Sequence, residues 1–531
     1  MNFPKQQLWE RFQKYYTEFP TLGLSLDLSR INLDDAFIAS MQSRLKRAFA
    51  TMTDLEAGAI ANPDEGRMVG HYWLRNPALA ATPEIRLEIE KTLVQVQAFA
   101  TDVHAGVVRG TKGAFKNYLL IGIGGSALGP QFIANALGNP VADKLRPHFL
   151  DNTDPQGIRR VLTSIGADLG QTLCLVISKS GETKETKNGM LVTKDTYEEF
   201  GLDFGKHALA VTKNDSSLDI YAAANRWLKR FPMWDWVGGR TSVMSAVGLL
   251  PAALQGINTY ELLAGAKACD DITRRRELMD NPAAQLALAW FRAGDGAGKK
   301  NMVVLPYRDC LELLPRYLQQ LVMESIGKKL DLLGNIVHQG ITVLGNKGAT
   351  DQHSYIQHVI DGVDNSFVTF INALSDQDDT QLFVDDEITP GDFLQGFFLG
   401  TRQALSERGR ESISITLRTV TPFSIGVLIA LFERAVGYYA SLVGVNAYHQ
   451  PGVESGKRVA SMILDLQMAV LNHLTKFRGV PLTATQLASA IGMPTETEHV
   501  FRICEHLSAN PSRGVKKFPA NSWLNSSYLK F

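Results

Sequence analysis

Between residues 117 and 417 the sequence alternates short apolar runs with longer stretches of helical period, and it does so in two successive series. The first series has runs at 117–123, 148–150, 172–177 and 207–211. The second has runs at 302–306, 341–344, 366–371 and 412–417, with helical patterns between them that include 311–328. Such runs suit strands covered on both faces, as in a parallel sheet whose crossovers are helices. A segment rich in Gly and Lys, Arg292 to Asn301, separates the series and reads as a boundary. The expected fold is therefore α/β, with two doubly wound domains of mainly parallel sheet at 116–291 and 292–492. A helical N-terminal segment, 1–115, would pack on the second domain, and a C-terminal helix and tail would occupy 493–531. The clearest helix of the first segment comes after Thr82 and Pro83, where Ile85, Ile89, Leu93, Val96 and Phe99 recur at helical spacing.

Composition narrows the function. Lys and Arg number 54 and so do Asp and Glu, which leaves no net charge to hold nucleic acid or an anionic membrane. Any attraction for an anion must then be local. The four cysteines, Cys174, Cys269, Cys310 and Cys504, are too few and too scattered for a disulfide framework in 531 residues, which predicts a reducing cytoplasm. The polar N-terminus is unlike a secretory signal, and the longest apolar stretch, 423–432, is stopped by Glu433 and Arg434, so no membrane span is expected.

The run at 117–123 leads into a glycine-rich turn, GIGGSALG from Gly122 to Gly129, and then a helical pattern. Gly122, Gly124 and Ala127 satisfy the dinucleotide pattern G-x-G-x-x-A, with Asp151 near the position of a ribose-binding acid. An oxidoreductase using NAD(P) on this loop is one reading. The physical content of the loop is broader: bare amides at a helix N-terminus receive an anion, and Gly125 with Ser126 adds a hydroxyl. A second loop, Ser178 to Thr186, favours phosphate over dinucleotide, because Ser178, Ser180 and Thr183 could enclose the oxygens of a phosphate monoester. The alternative is a hydroxyl cluster that only caps a helix.

Four further segments carry ionisable groups. Arg240 comes after Gly238 and Gly239, where the backbone can approach a ligand and a guanidinium can stabilise an oxyanion, although a lone surface arginine fits the same string. Gln320 and Glu324 lie four apart on one helical face amid Leu321, Val322, Met323 and Ile326. Glu324 is then either a partly buried base or a solvated acid paired with Lys328 at i+4. His353 lies where a helix could begin, and its nearest histidine, His358, has the wrong spacing for a shared metal, so proton transfer is favoured over metal binding. Lys457 lies beyond a Pro451–Gly452 turn and is either a donor to a sugar oxygen or a solvated lysine.

Together, in this order, these segments resemble the glucose-6-phosphate isomerase (phosphoglucose isomerase) family. The resemblance runs from NPDEGRMVGHYWLR at 62–75 to the segment of Lys457, and the strings at 238–242 (GGRTS) and 450–457 (QPGVESGK) carry most of it. It implies two sugar-isomerase (SIS-type) α/β domains, a homodimer, no metal or cofactor, and a phosphosugar as the small-molecule substrate. Glucose 6-phosphate and fructose 6-phosphate would interconvert through a cis-enediol(ate), a step of glycolysis and gluconeogenesis. By this resemblance Ser178, Ser180 and Thr183 hold the phosphate with Lys179 beside them, and Gly125 and Ser126 line the sugar. His353 and Lys457 open the ring. Glu324 carries the proton between C2 and C1, and Arg240 stabilises the charge. Gln320, Gln450 and Gly239 match substrate-contacting positions, and the histidine comes from the neighbouring subunit. Thr241, where an aromatic residue is frequent, and His449, where an acid is common, depart from the pattern. A non-catalytic phosphosugar-binding regulator on the same domains is the remaining alternative; it leaves Glu324, His353 and Arg240 without a use.

Overall fold

The structure is a computed structural model that describes residues 5–376 and 382–531. It divides into two compact units, Met1–His449 and Gln450–Phe531.

In chain order the strands of the first unit are β1 (Tyr16–Phe19), β2 (Leu24–Arg30), β3 (Asn117–Ile121), β4 (Arg146–Leu150), β5 (Thr172–Ile177), β6 (Ala208–Thr212) and β7 (Lys229–Pro232), and then β8 (Asn301–Pro306), β9 (Lys328–Leu330), β10 (Ile336–Gln339), β11 (Val343–Leu344), β12 (Ser366–Ala373) and β13 (Ser412–Leu417). The first sheet has the order β4-β3-β5-β6-β7 and is parallel throughout. β3, β5 and β6 are buried at every position, which is why they read as unbroken apolar runs. From β3 the chain crosses first to β4 on one side and later to β5 on the other. The loops leaving β3 and β5 therefore diverge and open a crevice at the carboxyl ends of the two strands.

The second sheet, β1-β2-β13-β12-β8-β11, repeats this pattern in its parallel part, where β8 lies between β11 and β12. Here the crevice is spanned by a side chain of the protein itself: Arg308 Nη2 donates to the Ala373 carbonyl (2.7 Å) and meets Asp376 Oδ1 at 2.6 Å. The sheet is mixed because β2 pairs antiparallel with β13 and β1 with β2. Residues 16–30 thus depart from the helical character expected of 1–115. The period-two alternation of Leu24, Leu26 and Leu28, all buried, is the strand signal in this stretch. The helix Pro83–His104 does form, with Thr82 Oγ1 accepting from the amide of Ile85.

The longest apolar helix, Pro422–Val443, is the one described helix long and apolar enough to cross a membrane, and 94% of its most apolar window is buried inside the protein. It packs against the helices Thr259–Thr273 and Pro282–Ala293. Its two charges join a buried network: Arg75 pairs with Asp270 (2.6 Å) and Glu433 (2.5 Å), and Arg434 with Asp270 (3.1 Å) and Glu56. Burial pushes the Glu433 carboxyl up to about 7 despite the pull of Arg75.

The second unit contains the helices Pro451–Lys476, Ala484–Ala490 and Thr497–Ala509 and the antiparallel strands β14 (Leu482–Thr483), β15 (Val515–Phe518) and β16 (Ser527–Lys530), in the order β14-β16-β15. Its boundary falls at residue 450 rather than 493. The helix at 451 puts Leu466, Val470, Leu471 and Leu474 into the same core as Leu487, Val500 and Leu507, so it packs as part of the C-terminal unit.

Candidate active site

Both loops at the first crevice lead into helices whose N-termini have no side-chain cap. The turn Gly124–Ser126 precedes the helix Leu128–Leu137, whose cap position, Ala127, has no side-chain acceptor. Thr183 precedes the helix Lys184–Glu199, and its side chain makes no cap hydrogen bond either. First-turn amides are thus left for an anion. Within the second loop Ser178 Oγ accepts from the amide of Gly181 (3.1 Å) and donates to Thr183 Oγ1 (3.3 Å), while Ser180 Oγ accepts from the amide of Glu182 (3.2 Å). Three hydroxyls are gathered in one turn. Gly181 takes φ +76°, and a Cβ there would lie 2.3 Å from Ser217 Oγ, so the turn demands glycine.

Lys179 extends from this loop to the carbonyls of Val237 (3.0 Å) and Asp235 (3.3 Å) and lies 3.8 Å from Asp235 Oδ1. Burial lowers its ammonium to about 8, with Asp235 pulling the other way. These contacts tie the hydroxyl-rich loop to the segment that carries Arg240.

The glycines of the first loop serve packing as well as ligand approach. A Cβ on Gly125 would lie 2.1 Å from the Gly239 carbonyl oxygen, and one on Gly124 would lie 3.1 Å from Gln320 Nε2. Ser242 Oγ donates to the carbonyls of Gly239 (2.8 Å) and Gly125 (3.3 Å). Asp151 accepts from Gln131 (2.9 Å) and pairs with Arg316 (3.1 Å). The loop that matches the dinucleotide pattern thus packs on Gln320 and Gly239 while its helix N-terminus stays open to an anion, and its acid, Asp151, is already paired.

Arg240 and Glu324 meet beside this loop. Arg240 Nη1 lies 3.4 Å from Glu324 Oε1 and donates to the Glu324 carbonyl (3.4 Å), while Nη2 donates to the carbonyls of Ala447 (2.9 Å) and His449 (3.4 Å). The side chains are 7% and 18% exposed, so Arg240 is buried and Glu324 keeps one side toward water. Burial lowers the Arg240 guanidinium and Glu324 raises it, but arginine stays charged at physiological pH. Gln320 Nε2 donates to Glu324 Oε2 at 2.9 Å.

The helix carrying this pair differs from the expected one. The α-helix covers only Leu314–Leu318, and Gln319–Glu324 continues as a π-helix. Such turns widen a helix and recur at functional sites. Lys328 is no solvated partner of the Glu324 carboxylate: it is 5% exposed and donates to the Glu324 main-chain carbonyl at 2.7 Å. The N-terminal segment supplies a wall that residue-by-residue reasoning on the sequence missed. Asn62, Arg67 and His71 line a cavity with Lys179, Arg240 and Tyr448. The signal that could have found them is the string at 62–75, which contains all three and is part of the family resemblance.

His353, Gln450 and Lys457 complete the expected set. His353 ends the short 3-10 turn Asp351–His353 after β11 and is exposed; among the described residues no side-chain hydrogen bond or ion pair holds its ring. Gln450 and Lys457 fall in the second unit, and the Lys457 side chain lies outside the described residues. Of the two departures from the family pattern, Thr241 Oγ1 donates to the Gly238 carbonyl (3.4 Å) and His449 Nε2 lies 3.7 Å from Asp64 Oδ2. Among the described residues no group of three or more His, Cys, Asp or Glu is arranged to hold a metal ion.

The chain is similar to known proteins over nearly its whole length. A sequence model described as phosphoglucose isomerase matches residues 27–405 and 401–478. The chain is 57% identical over 524 residues to a glucose-6-phosphate isomerase of Geobacter sulfurreducens, covering 98% of this chain and 99% of that one. It is 52% identical over 522 residues to that of Desulfitobacterium hafniense, covering 98% of each. Among solved structures, a glucose-6-phosphate isomerase from Chlamydia trachomatis superposes with a TM-score of 0.78 at 26% identity, covering 86% of this chain and 91% of that one. With the matched segments spanning both sheets and every loop of the crevice, the chain belongs to the phosphoglucose isomerase family.

Proposed function

We infer that the protein interconverts glucose 6-phosphate and fructose 6-phosphate as an aldose-ketose isomerase. The observation that carries this is a half-buried carboxylate, Glu324, held by Gln320 and faced by the fixed charge of Arg240, with two uncapped helix N-termini at the same crevice.

The phosphate sits in the hydroxyl turn of Ser178, Ser180 and Thr183 near Lys179, while Gly125, Ser126, Gly239, Gln320 and Gln450 contact the sugar. His353 and Lys457 open the ring by moving the proton of the C1 hydroxyl to the ring oxygen. Glu324 then takes the proton from C2, and the electron pair passes through the C1–C2 bond to the C1 oxygen, giving a cis-enediolate. Arg240 stabilises that oxyanion without any change of its own protonation. Glu324 returns its proton to C1, the carbonyl forms at C2, and the hydroxyl proton passes from O2 to O1. Every atom is conserved. Holding the proton on a shielded carboxylate between the two steps is what makes a single base sufficient.

The protein acts as a homodimer in the cytoplasm, without nucleic acid or membrane. The dimer is supported by the exposed ring of His353, unheld among the described residues, and by apolar side chains left in water in the second series, among them Leu333 (88% exposed), Ile336 (66%) and Phe397 (47%). The reducing compartment is supported by four free cysteines. Incubating the purified protein with fructose 6-phosphate in the presence of a chelator tests the activity: glucose 6-phosphate is the expected product, and its absence overturns the reading.

A further inference from the structure

The carbonyl oxygen of Glu324 is held by two cationic side chains. Lys328 Nζ donates to it at 2.7 Å and Arg240 Nη1 at 3.4 Å. The chain leaves the π-helix after Glu324, passes Ser325, Ile326 and Gly327, and enters β9 at Lys328. Gly327 permits the close turn, since a Cβ there would lie 2.5 Å from the Met323 carbonyl. Lys328 thus reaches back from the start of a strand to the residue that ends the π-helix. Its side chain is buried, which is costly for an ammonium without a specific use.

We propose that Lys328 is a positioning residue for the base: its ammonium clamps the main chain at the end of the π-helix and thereby aims the Glu324 carboxylate at C1 and C2 of the sugar. This rests on the isomerase reading above. The clamp also bears on the distance to Arg240, because both cations hold one carbonyl while the carboxylate, among the described residues, faces Arg240 and Gln320. A tightly held carboxylate matters because displacement of a reacting group by about 1 Å costs on the order of 10²-fold in rate.

The charged groups that face Lys328 come from four places: Arg240 from the turn Gly239–Thr241, Glu324 from the π-helix, Asp64 from the N-terminal wall, and His449 from the loop after the helix Pro422–Val443. Burial and Arg240 lower the ammonium, Glu324 and Asp64 raise it, and the balance lies at about 8. Below that pH the clamp is charged. Above it the amine is neutral and donates more weakly, so proton transfer slows on the alkaline side.

The test measures kcat and KM for the full-length protein, Lys328→Met and Lys328→Arg across about pH 6 to 10, with the primary isotope effect on glucose 6-phosphate deuterated at C2. The expected result for Lys328→Met is a kcat lower by on the order of 10²-fold, KM within about threefold, and a larger isotope effect. Lys328→Arg, whose charge does not titrate in this range, is expected to retain most of kcat and to lack the alkaline fall in kcat expected of the unaltered protein near pH 8. Full kcat in Lys328→Met, or the same alkaline fall in Lys328→Arg, overturns the proposal. If Lys328→Met does not fold, as read by circular dichroism, the pH profile of Lys328→Arg decides. An inactive unaltered protein would overturn the isomerase reading itself, whereas an active one insensitive to both changes would remove only the role of Lys328.

Discussion

Arg240 approaches Glu324 with one nitrogen, Nη1, which lies 3.4 Å from both the carboxylate Oε1 and the main-chain carbonyl. This is longer than a tight charged hydrogen bond of roughly 2.7–2.9 Å. The pair is close enough to share one substrate atom pair and loose enough that Glu324 is not locked to its own counter-ion. Arg240 is instead anchored through Nη2 to the carbonyls of Ala447 and His449.

Removing the charge of Glu324 therefore separates chemistry from binding. Glu324→Gln keeps a side chain of the same shape beside Gln320 and Arg240. It is expected to lower kcat by on the order of 10²–10⁴-fold, the range of a general base, with phosphosugar binding retained. Calorimetry with a non-isomerised phosphosugar checks the binding, and full turnover by the variant would remove Glu324 as the base.

The ammonium of Lys179, lowered to about 8 by burial, gives a pH dependence of binding rather than of turnover. In the proposed site its charged form would attract the phosphate, an attraction expected below the pKa and lost as pH rises through it. A dianionic phosphate beside it raises the pKa in the complex, so KM climbs on the alkaline side. Lys179→Met is expected to raise KM at pH 7 and to flatten this rise; a KM profile unchanged by the substitution would contradict the assignment.

Gly125 is a test of close approach. The Cβ of Gly125→Ala would lie 2.1 Å from the Gly239 carbonyl oxygen, which is backbone and cannot swing aside. The loop must separate from the turn that carries Arg240, and kcat/KM is expected to fall on the order of 10²-fold. An alanine variant with ordinary kinetics would show that the two loops are free to move apart.

Stability depends on Arg75 for reasons separate from catalysis. Arg75→Met leaves Asp270 and Glu433 buried with one cation fewer, and loss of one partner of such a network typically costs about 3–5 kcal/mol. Urea unfolding of the variant should show a midpoint shifted accordingly, and a shift of under about 1 kcal/mol would mean that Arg434 alone suffices.

His353 predicts complementation. Mixed dimers of Glu324→Gln and His353→Ala chains should regain activity that neither variant shows alone, because one site of the pair then combines both intact groups. Dilution to monomers should abolish activity in the unaltered protein. Activity that persists in monomers, monitored by light scattering and turnover together, would refute a shared site.

Much of the architecture is legible in the sequence. Strands 172–177 and 412–417 have the limits of their apolar runs, because a strand buried on both faces has no alternation to confuse. The N-terminal strands are not legible in the same way, since a short hairpin beside amphipathic helices has only a brief period-two signal. Strand β7, Lys229–Pro232, is an edge strand with an exposed arginine and escapes for the same reason.

For the site, residue types and their order along the chain pointed to the chemistry proposed above: a carboxylate, an arginine after two glycines, and two loops suited to phosphate. Only the tertiary structure decided how they are used. It carried Gln320 and Glu324 on a π-helix, a geometry that i and i+4 spacing cannot distinguish from an α-helix. It also buried Lys328 on a main-chain carbonyl and paired Asp151 with Arg316 and Gln131, leaving no free acid for a ribose. The reason is physical: periodicity reports which face of an element is buried, whereas partners distant in sequence are chosen by sheet order and by the side chains that meet across it.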